Sequence, residues 1–468
     1  MSYTLEKSKC PSLAKYDVVV VGGGPGGIAA ALTVKMIYSS KSVALIKRDE
    51  KTLIPCAIPY TVASVASIDR YDKSLISYSS LLAQGINVVT DTVVDIDRQN
   101  KIVITASGNC YEYDKLVLAT GSIPNVPAIE GIDLRNVVIV SKKYEDVVFM
   151  QEILRKSNKV AILGCGFIGI EIADELVKLG KKVTIIEILP HCLLTNFDED
   201  FAIKVEEMLR REGVEIKTGR TIKRIHGLNK VERIELDNGE KIEVDAVVIA
   251  TGHKPNIDLA KKIGLAVGKY GVLVDEFMKT SDHNIFAVGD VAEKKHLVLK
   301  ESIPLMLSSI ACIEARVAAI NLYGDKKVML EGIIGVVVTK VKDLVIGCTG
   351  STENMLKKKG IDYVVGRAKT INRHPFFLPG ACEIEVKLIF SNKGILIGAQ
   401  VSGYCNEVAE IVNTLALAIQ NKMSIYKLIA MQYGTQPMLT ASLLSNPIVL
   451  AALDAYKKLK LNSWEQVG

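Results

Sequence analysis

The sequence lacks an uninterrupted apolar segment long enough to cross a bilayer. Its longest stretch without a charged residue, 428–453, is divided by Gln432, Gln436 and Asn446 and by two prolines. Residues 1–15 contain charged side chains and no apolar core, so we expect a loose N-terminal extension and no secretory signal. These features predict a protein without membrane association.

A disulfide framework and a metal site also have little support. The nine cysteines are odd in number and show no zinc-ligand spacing. We therefore expect thiols in a reducing cytoplasm, most of them buried, with Cys165 a small residue that fits its turn. No metal is expected.

Strong charge imbalance and low-complexity segments are absent as well. The 58 basic and 52 acidic residues are spread along the chain and leave a net charge of +6, which does not indicate a nucleic-acid partner. Hydrophobic residues make up 49% of the 468. This composition predicts a globular protein of about three domains.

Two glycine fingerprints are present, each after an apolar strand and at the start of a helix. In such a loop the first glycine permits a tight turn, the second lets the backbone approach a pyrophosphate, and the third packs helix on strand. Two of them in one chain indicate two bound dinucleotides. The glycines are Gly22, Gly24 and Gly27, then Gly164, Gly166 and Gly169.

The acidic residue that should follow each unit's second strand differs between the two units. After the strand predicted over 42–46 stand Lys47 and Arg48, and the nearest carboxylate is Asp49. The strand predicted over 182–186 ends in Glu187, which can accept hydrogen bonds from a ribose and repel a 2′-phosphate. The second site is therefore predicted to favour NADH over NADPH.

The glycine-loop pattern stops near residue 328. Apolar alternation over 332–340, 383–390 and 394–401 predicts an antiparallel sheet, and 407–420 has helical spacing. The fold class is thus α/β, with two Rossmann-like dinucleotide-binding domains and a C-terminal α+β domain.

The chain resembles the pyridine nucleotide-disulfide oxidoreductases over nearly its whole length. Besides the fingerprints, the resemblance rests on two Ala-Thr-Gly turns, which contain Thr120-Gly121 and Thr251-Gly252, and on the segment 284–290, which ends in Gly289-Asp290. It implies FAD in the first site, with Asp290 on the ribityl chain and Gly289 close to the cofactor. It also implies an FAD domain over 1–122 and 253–328, an NAD domain over 123–252 and a dimerisation domain over 329–468 that forms a homodimer.

Cys56, in the segment Leu53-Ile-Pro-Cys-Ala-Ile-Pro-Tyr60, stands where this family keeps its redox sulfur. The two-cysteine members carry a second cysteine five positions later, where this chain has Thr61. The pattern resembles the single-cysteine branch of coenzyme A-disulfide reductases, NADH oxidases and peroxidases, and NADH-dependent sulfur or persulfide reductases. In that branch a thiolate attacks a substrate sulfur and is later released by reduced flavin.

Several positions differ from relatives within that branch. Peroxidases and oxidases have a histidine in the first glycine loop, where Pro25 stands here, so peroxide reduction is disfavoured. The first of two tyrosines that reach the site from the partner subunit in coenzyme A-disulfide reductases falls near Phe376, and Tyr433 matches the second. Because Gln436 cannot act as a base, Tyr433 is the candidate proton donor.

Two further residues are assigned by the resemblance. Phe167 matches the aromatic residue that covers the nicotinamide side of the flavin, and Glu171 lies near the flavin in a supporting role. The leading hypothesis is an FAD-dependent NAD(P)H oxidoreductase that reduces a small-molecule disulfide, persulfide or polysulfide through Cys56, with coenzyme A as one candidate carrier of the substrate sulfur. The alternatives are an NADH oxidase and a flavin-based electron-transfer reductase for a ferredoxin- or rubredoxin-type partner.

Overall fold

The computed structural model describes residues 12–64, 78–324 and 328–465. The first sheet has the order β3-β2-β1-β6-β5-β4, with β17 also paired to β6. β1, β2, β3, β6 and β17 are parallel to their neighbours in this group, whereas β4 and β5 form an antiparallel extension on β6. The strands are β1 (Leu13–Val21), β2 (Val43–Lys47), β3 (Ile86–Thr90), β4 (Val93–Asp97), β5 (Ile102–Thr105), β6 (Cys110–Leu118) and β17 (Ile285–Ala287).

Helices cover this sheet, in which β2 is buried along its length and β1 over its last four residues, as expected of parallel strands with two covered faces. α1 packs against α7 through Ala31, Val34 and Ala318 in one apolar cluster. The helices of this part are α1 (Pro25–Ile37), α2 (Tyr78–Ala83) and α7 (Ser308–Asn321).

The second sheet is wholly parallel and has the order β11-β10-β9-β15-β8. A three-stranded antiparallel sheet, β12-β13-β14, packs beside it. The parallel strands are β8 (Val137–Ile139), β9 (Lys159–Leu163), β10 (Lys182–Glu187), β11 (Glu215–Thr218) and β15 (Ala246–Ile249). The remaining elements are β12 (Ile222–His226), β13 (Arg233–Leu236), β14 (Lys241–Glu243), α3 (Tyr144–Lys156), α4 (Phe167–Lys178) and α5 (Glu199–Arg211).

Two strands mark the passages between these sheets. β7 (Ser122–Pro124) leads out of the first sheet and pairs antiparallel with β16 (His253–Pro255), which leads back. The chain then forms α6 (Asp258–Lys262), β17, and the short pair β18 (Lys294–Lys295) and β19 (Ser302–Ile303) before α7. The sheet pairing supports the division of an FAD domain into 1–122 and 253–328 around 123–252, which we keep as a proposal.

The C-terminal part is an antiparallel sheet of order β20-β21-β24-β23-β22 with helices packed on it. Its strands are β20 (Val336–Val341), β21 (Leu344–Gly350), β22 (Tyr363–Ile371), β23 (Glu383–Ser391) and β24 (Leu396–Gly403). Its helices are α8 (Glu353–Lys359), α9 (Glu407–Gln420), α10 (Ile425–Ile429) and α11 (Pro447–Glu465).

The α/β class and the elements around both fingerprints are confirmed. The strand that the sequence predicts over 16–21 begins earlier, because β1 starts at Leu13. The strand predicted over 332–340 begins later, because β20 starts at Val336. Within the described ranges, no helix combines the length and the apolar character that a bilayer crossing requires. The start of the proposed N-terminal extension, 1–11, lies outside the described residues.

The prediction that the cysteines are thiols is wrong for at least four of them. Disulfides join Cys165 to Cys192 and Cys382 to Cys405. The fold brings the members of each pair together across separations of 27 and 23 residues, which spacing in the sequence does not reveal. Cys165 is therefore a covalent cross-link of the second fingerprint loop, not merely a small residue in a turn.

Candidate active site

The first fingerprint borders a cavity of about 530 Å³ between the N-termini of α1 and α7. Gly22 has φ +118°, and a Cβ there would overlap the carbonyl oxygen of Ala119. A Cβ at Gly27 would overlap the carbonyl oxygen of Gly22, whereas Gly24 faces open space. The loop is therefore shaped for close approach by a ligand. The predicted residues that line the cavity are Gly22, Gly24, Pro25, Asp49, Thr120, Gly121, Gly289 and Asp290.

Asp290 is the principal negative group of this cavity. Its Oδ2 atom accepts hydrogen bonds from Lys142 Nζ at 2.6 Å and Ser122 Oγ at 2.7 Å. Burial opposes its ionisation, but the charge and hydrogen bond of Lys142, with the Ser122 hydroxyl, hold the pKa of Asp290 below its ordinary value. The carboxylate is thus charged and oriented beside the cavity.

A buried ion pair supports the turn that carries Asp290. Glu314, on α7, accepts from the Gly289 amide at 2.7 Å and from Lys294 Nζ at 3.1 Å. The ammonium group of Lys294 also donates to the carbonyl of Ala292 at 2.9 Å. Both side chains are about 2% exposed. This arrangement couples the position of Asp290 to that of α7.

Asp49 lies at the cavity, but its carboxylate is already engaged. Both of its oxygens accept from the Arg48 guanidinium at 2.9 Å. Lys47, at the end of β2, turns its ammonium group to the Glu50 carbonyl at 2.7 Å. The role of Asp49 as a ribose ligand stays a prediction, and Arg48 is the side chain that orients it.

The second fingerprint repeats the geometry of the first. Gly164 has φ +106°, and its Cβ would be forced against the Ala250 carbonyl, while a Cβ at Gly169 would overlap the Gly164 carbonyl. Gly166 faces open space and is the N-cap of α4. Gly252, in the second Ala-Thr-Gly turn, has φ +85° and accepts from Asn125. The free amides of α4 therefore point to a second anion site.

Glu187 lies at the end of β10, as predicted, and is held by backbone amides. Its Oε2 atom accepts from Cys165 N at 2.7 Å and its Oε1 atom from Leu189 N at 2.8 Å. The Cys165–Cys192 disulfide ties the same loop to the segment after β10, and Leu193 N donates to the Cys165 carbonyl at 3.0 Å. Fingerprint and carboxylate form one preorganised unit.

Cys56 is an exposed free thiol in the 3₁₀ turn Pro55–Ala57. Its Sγ atom lies 3.4 Å from Ser308 Oγ, at the start of α7. Pro55 and Ser308 both line the cavity. The thiol is therefore at the edge of the first nucleotide site, where a sulfur can meet both a bound cofactor and an incoming substrate.

Glu171 and Phe167 lie on α4, on the side facing the Cys56 segment. Burial raises the pKa of Glu171 to about 7, although hydrogen bonds from Thr339 and Tyr60 oppose the rise. Thr339 Oγ1 donates to Glu171 at 2.8 Å. Phe167 packs edge-on against Phe197, with ring centroids 6.2 Å apart.

Tyr433 is held elsewhere within its own chain. Its hydroxyl donates to the Leu443 carbonyl at 2.8 Å, and its predicted role requires a partner subunit. Phe376 and Phe377 are 73% and 72% exposed. Leu439 and Leu444 of the C-terminal domain are exposed as well. The catalytic role of Tyr433 stays a prediction.

Two glycine-loop sites in one α/β chain, with an exposed thiol at the edge of the first, define an oxidoreductase that handles two dinucleotides. The chain belongs to the family described as pyridine nucleotide-disulphide oxidoreductase, whose sequence model matches residues 16–311. The dimerisation domain of this family matches residues 336–446. The protein is therefore an FAD-dependent NAD(P)H oxidoreductase with a dimerisation domain.

Individual relatives cover nearly the whole chain. An NADH oxidase of Methanocaldococcus jannaschii is 35% identical over 451 residues, which are 94% of this chain and 99% of the relative. An NAD(P)H coenzyme A polysulfide/persulfide reductase of Pyrococcus horikoshii is 34% identical over 83% of this chain and 88% of its own. The structure of an NAD-dependent persulfide reductase from A. fulgidus superposes with a TM-score of 0.88, at 32% identity over 95% of this chain and 83% of that one.

The residues at the first cavity fit FAD. Gly24 faces open space and is the N-cap of α1, whose N-terminus no side chain caps, and this arrangement suits a pyrophosphate. The oriented carboxylate of Asp290 suits hydroxyl groups. At the second fingerprint, Gly166 and Glu187 fit the pyrophosphate and ribose of a nicotinamide dinucleotide.

Sequence reasoning missed the residues that orient the predicted ones: Lys142, Ser308, the Lys294–Glu314 pair and Cys192. None of them belongs to a motif used in the sequence analysis. Lys142 and Ser308 act on residues more than a hundred positions away in the chain. The sequence carries a signal only for Glu314, the one acidic residue in the largely apolar segment 308–321.

Proposed function

We propose that the protein transfers electrons from NADH, through FAD, to a sulfur–sulfur bond of a small molecule, with Cys56 as the reacting sulfur. The observation that carries the proposal is the exposed Cys56 thiol at the mouth of the cavity that fits FAD. Relatives named for polysulfide and persulfide reduction support the choice of substrate class. A disulfide, persulfide or polysulfide is accordingly the proposed acceptor.

Each part of the site has a separate task in this reaction. When bound, FAD supplies the two-electron relay between nicotinamide and sulfur. Gly166 and Glu187 hold the nicotinamide dinucleotide, and Asp290 orients the flavin nucleotide. Cys56 attacks the substrate S–S bond as a thiolate, forms a bond to one sulfur and releases the other. Two electrons from NADH then break the new S–S bond and restore the Cys56 thiolate.

NADH is the proposed donor because Glu187 would face a 2′-phosphate with a negative charge. Coenzyme A is the proposed carrier of the substrate sulfur by analogy to the Pyrococcus relative. Lys35 and Lys41, which lie along and after α1, are poor candidates for its phosphates. Lys35 donates to two backbone carbonyls, and Lys41 pairs with Asp17 at 2.7 Å.

We also propose a cytoplasmic homodimer. The C-terminal domain exposes Phe376, Phe377, Leu439 and Leu444, which a partner subunit would cover. Size-exclusion chromatography with light scattering tests the dimer, and fractionation of the source cells tests the location. A monomer would also remove the reason for assigning Tyr433 to the active site.

The competing function is an NADH oxidase, which the Methanocaldococcus relative supports by its name. Pro25 occupies the glycine-loop position where peroxidases and oxidases have a histidine. Its ring nitrogen carries no proton, and its carbonyl accepts from Cys312 at 3.8 Å. This loop therefore offers no acid or base for peroxide chemistry, and we rank sulfur reduction first.

The decisive experiment is anaerobic NADH oxidation by the FAD-loaded protein, with coenzyme A disulfide, coenzyme A persulfide or polysulfide as acceptor. Wild type is compared with Cys56→Ser and with a matched control, Cys312→Ser, which removes the other partly exposed free thiol. A parallel aerobic assay measures hydrogen peroxide and oxygen consumption.

We expect rapid sulfur reduction that Cys56→Ser abolishes and Cys312→Ser preserves. Oxygen as the sole efficient acceptor would replace the proposal with the oxidase. Sulfur and dye reduction that both survive in Cys56→Ser would instead support electron transfer to a protein partner, with a structural Cys56.

A further inference from the structure

We propose that Ser308 is a positioning residue for Cys56, whose hydroxyl hydrogen-bonds the sulfur and orients it in the thiolate state. This inference rests on the proposed function, in which Cys56 alternates between a thiolate and an S–S-bonded form. It adds a residue that no glycine loop or cysteine motif identifies.

The contact is direct and joins distant parts of the chain. Cys56 Sγ lies 3.4 Å from Ser308 Oγ, across 252 positions of sequence, within the range of a hydrogen bond that involves sulfur. Among the described residues, Ser308 is the side chain that hydrogen-bonds the Cys56 sulfur. Ser308 also lines the cavity, so the contact lies at the proposed site of reaction.

The Ser308 hydroxyl is not committed to the helix that carries it. Ser308 is the first residue of the 14-residue helix α7, whose N-cap is Leu307, and no side chain caps this N-terminus. A serine at such a position commonly bonds to the backbone, but here its hydroxyl meets the thiol. The helix start also turns its free amides and positive dipole end toward the same region.

A hydroxyl can serve both states of the sulfur because it is both a donor and an acceptor. The thiol donates to Ser308 Oγ, and the thiolate accepts from the Ser308 O–H. When two electrons from NADH break the bond between Cys56 and the substrate sulfur, both sulfurs leave as thiolates. The substrate thiolate takes its proton from water, while Ser308 stabilises and orients the charge on Cys56.

Among the described residues, three other candidate groups lack a proton to donate or are engaged elsewhere. Pro25 has no proton to donate, and the Tyr433 hydroxyl donates to the Leu443 carbonyl within its own chain. Cys312, one turn after Ser308 on α7, contacts the Pro25 carbonyl at 3.8 Å. Ser308 thus supplies the hydrogen bond at this thiol.

The test measures the chemistry of the sulfur apart from turnover. Wild type, Ser308→Ala and Ser308→Thr are alkylated with iodoacetamide across pH 5–9, and the rate at Cys56 is followed by peptide mass mapping. Ser309→Ala is the matched control, since Ser309 is the exposed neighbour on the same helix. Turnover with NADH and a sulfur acceptor is measured for the same set.

We expect Ser308→Ala to slow alkylation near pH 7 by about tenfold, the lower range for a hydrogen bond to a charged group, and to move the alkylation profile to higher pH. kcat with the sulfur acceptor should fall by a similar factor, with KM for NADH unchanged. Ser308→Thr keeps a hydroxyl and should restore much of both rates, and Ser309→Ala should match wild type.

Wild-type alkylation of Ser308→Ala at every pH would overturn the inference, as would equal losses in Ser308→Ala and Ser308→Thr, which indicate packing. Failure of the proposed function gives a different result, namely sulfur reduction that survives in Cys56→Ser. In that case the dependence of Cys56 alkylation on pH still tests the contact between Ser308 and Cys56.

Discussion

Lys142 and Asp290 form an ion pair that joins the two nucleotide-binding parts, with Nζ 2.6 Å from Oδ2. Lys142 follows β8 of the second sheet, and Asp290 follows β17 of the first. The pair also contacts Ser122, which begins the β7–β16 passage. One charged centre therefore both borders the FAD cavity and orients the NAD-binding part. Loss of either charge should therefore affect both cofactors.

Asp290→Asn tests the charged centre directly. The substitution keeps the shape but removes the charge that Lys142 stabilises, and it leaves the partly exposed Lys142 ammonium group without its partner. We expect the affinity for FAD to fall at least tenfold. The measurement is the ratio of flavin to protein absorbance after dialysis. The exposed carboxylate Asp133, replaced in Asp133→Asn, provides the control. Full FAD occupancy in Asp290→Asn would contradict the role of this carboxylate.

Glu187→Gln should weaken the preference for NADH. Glutamine has a single side-chain oxygen, so it can accept from only one of the two amides, Cys165 N and Leu189 N, that bond to separate oxygens of Glu187. It also no longer repels a 2′-phosphate. We expect the ratio of kcat/KM for NADH to that for NADPH to fall by about tenfold, since each 1.4 kcal/mol of lost discrimination is one power of ten. An exposed control on α5, Glu207→Gln, should leave the ratio unchanged. An unaltered ratio in Glu187→Gln would assign the preference to other residues.

Glu171 should make stability depend on pH near neutrality. Burial raises the pKa of Glu171 from 4.5 to about 7. Its favourable contribution to the free energy of unfolding is therefore complete below about pH 4.5 and is lost as the pH rises through about 7. Tyr60, Asp174 and Glu175 face the same region. Above pH 7 the folded protein must hold a buried carboxylate, which Glu171→Gln avoids.

The measurement compares guanidinium midpoints of wild type and Glu171→Gln at pH 5.5 and pH 8. Between these two pH values the free energy of unfolding of the variant should gain about 2 kcal/mol on that of wild type, because a carboxyl with a pKa of 4.5 when unfolded and about 7 when folded already loses part of its contribution at pH 5.5. Glu276→Gln, at an exposed carboxylate, should show no such trend. Equal differences at both pH values would show that Glu171 stays ionised throughout.

The sequence predicts the parts of the site that depend on local geometry. Gly22, Gly27, Gly164 and Gly169 are determined by backbone turns within a few residues, and Glu187 by the end of one strand. Such features leave a pattern of residue type and spacing that can be interpreted without the fold. The strand and helix order around both fingerprints follows from the same local periodicity.

Relationships between distant segments leave no such pattern. Ser308 contacts Cys56 because α7 begins at the FAD cavity. Lys142 reaches Asp290 only because β7 and β16 bring the two sheets together. The glycines next to Cys165 indicate a turn, but nothing in the sequence pairs Cys165 with Cys192. In each case the deciding group lies on another element, whose position depends on packing of the whole chain.

The Cys165–Cys192 disulfide gives the last prediction, because it cross-links the second fingerprint to the loop after Glu187. Closing a loop with a sequence separation of 27 lowers the conformational entropy of the unfolded chain, which stabilises the fold by about 3.5 kcal/mol in the chain-entropy treatment. Cys192→Ala should therefore lower the thermal midpoint. It should also raise KM for NADH several-fold, because the loop between Gly164 and Gly166 loses a covalent anchor, while FAD content stays at the wild-type level.

Cys348→Ala provides the comparison for that disulfide, since Cys348 is a buried cysteine with a free thiol. It should cost stability through lost packing and the lost hydrogen bond to the Asn196 carbonyl, and it should leave KM for NADH unchanged. A peptide map of the unreduced, alkylated protein should recover the segments around Cys165 and Cys192 as one linked species. Two separately alkylated peptides would show that the cross-link does not form, and the NADH loop would then depend on the Glu187 and Leu193 hydrogen bonds alone.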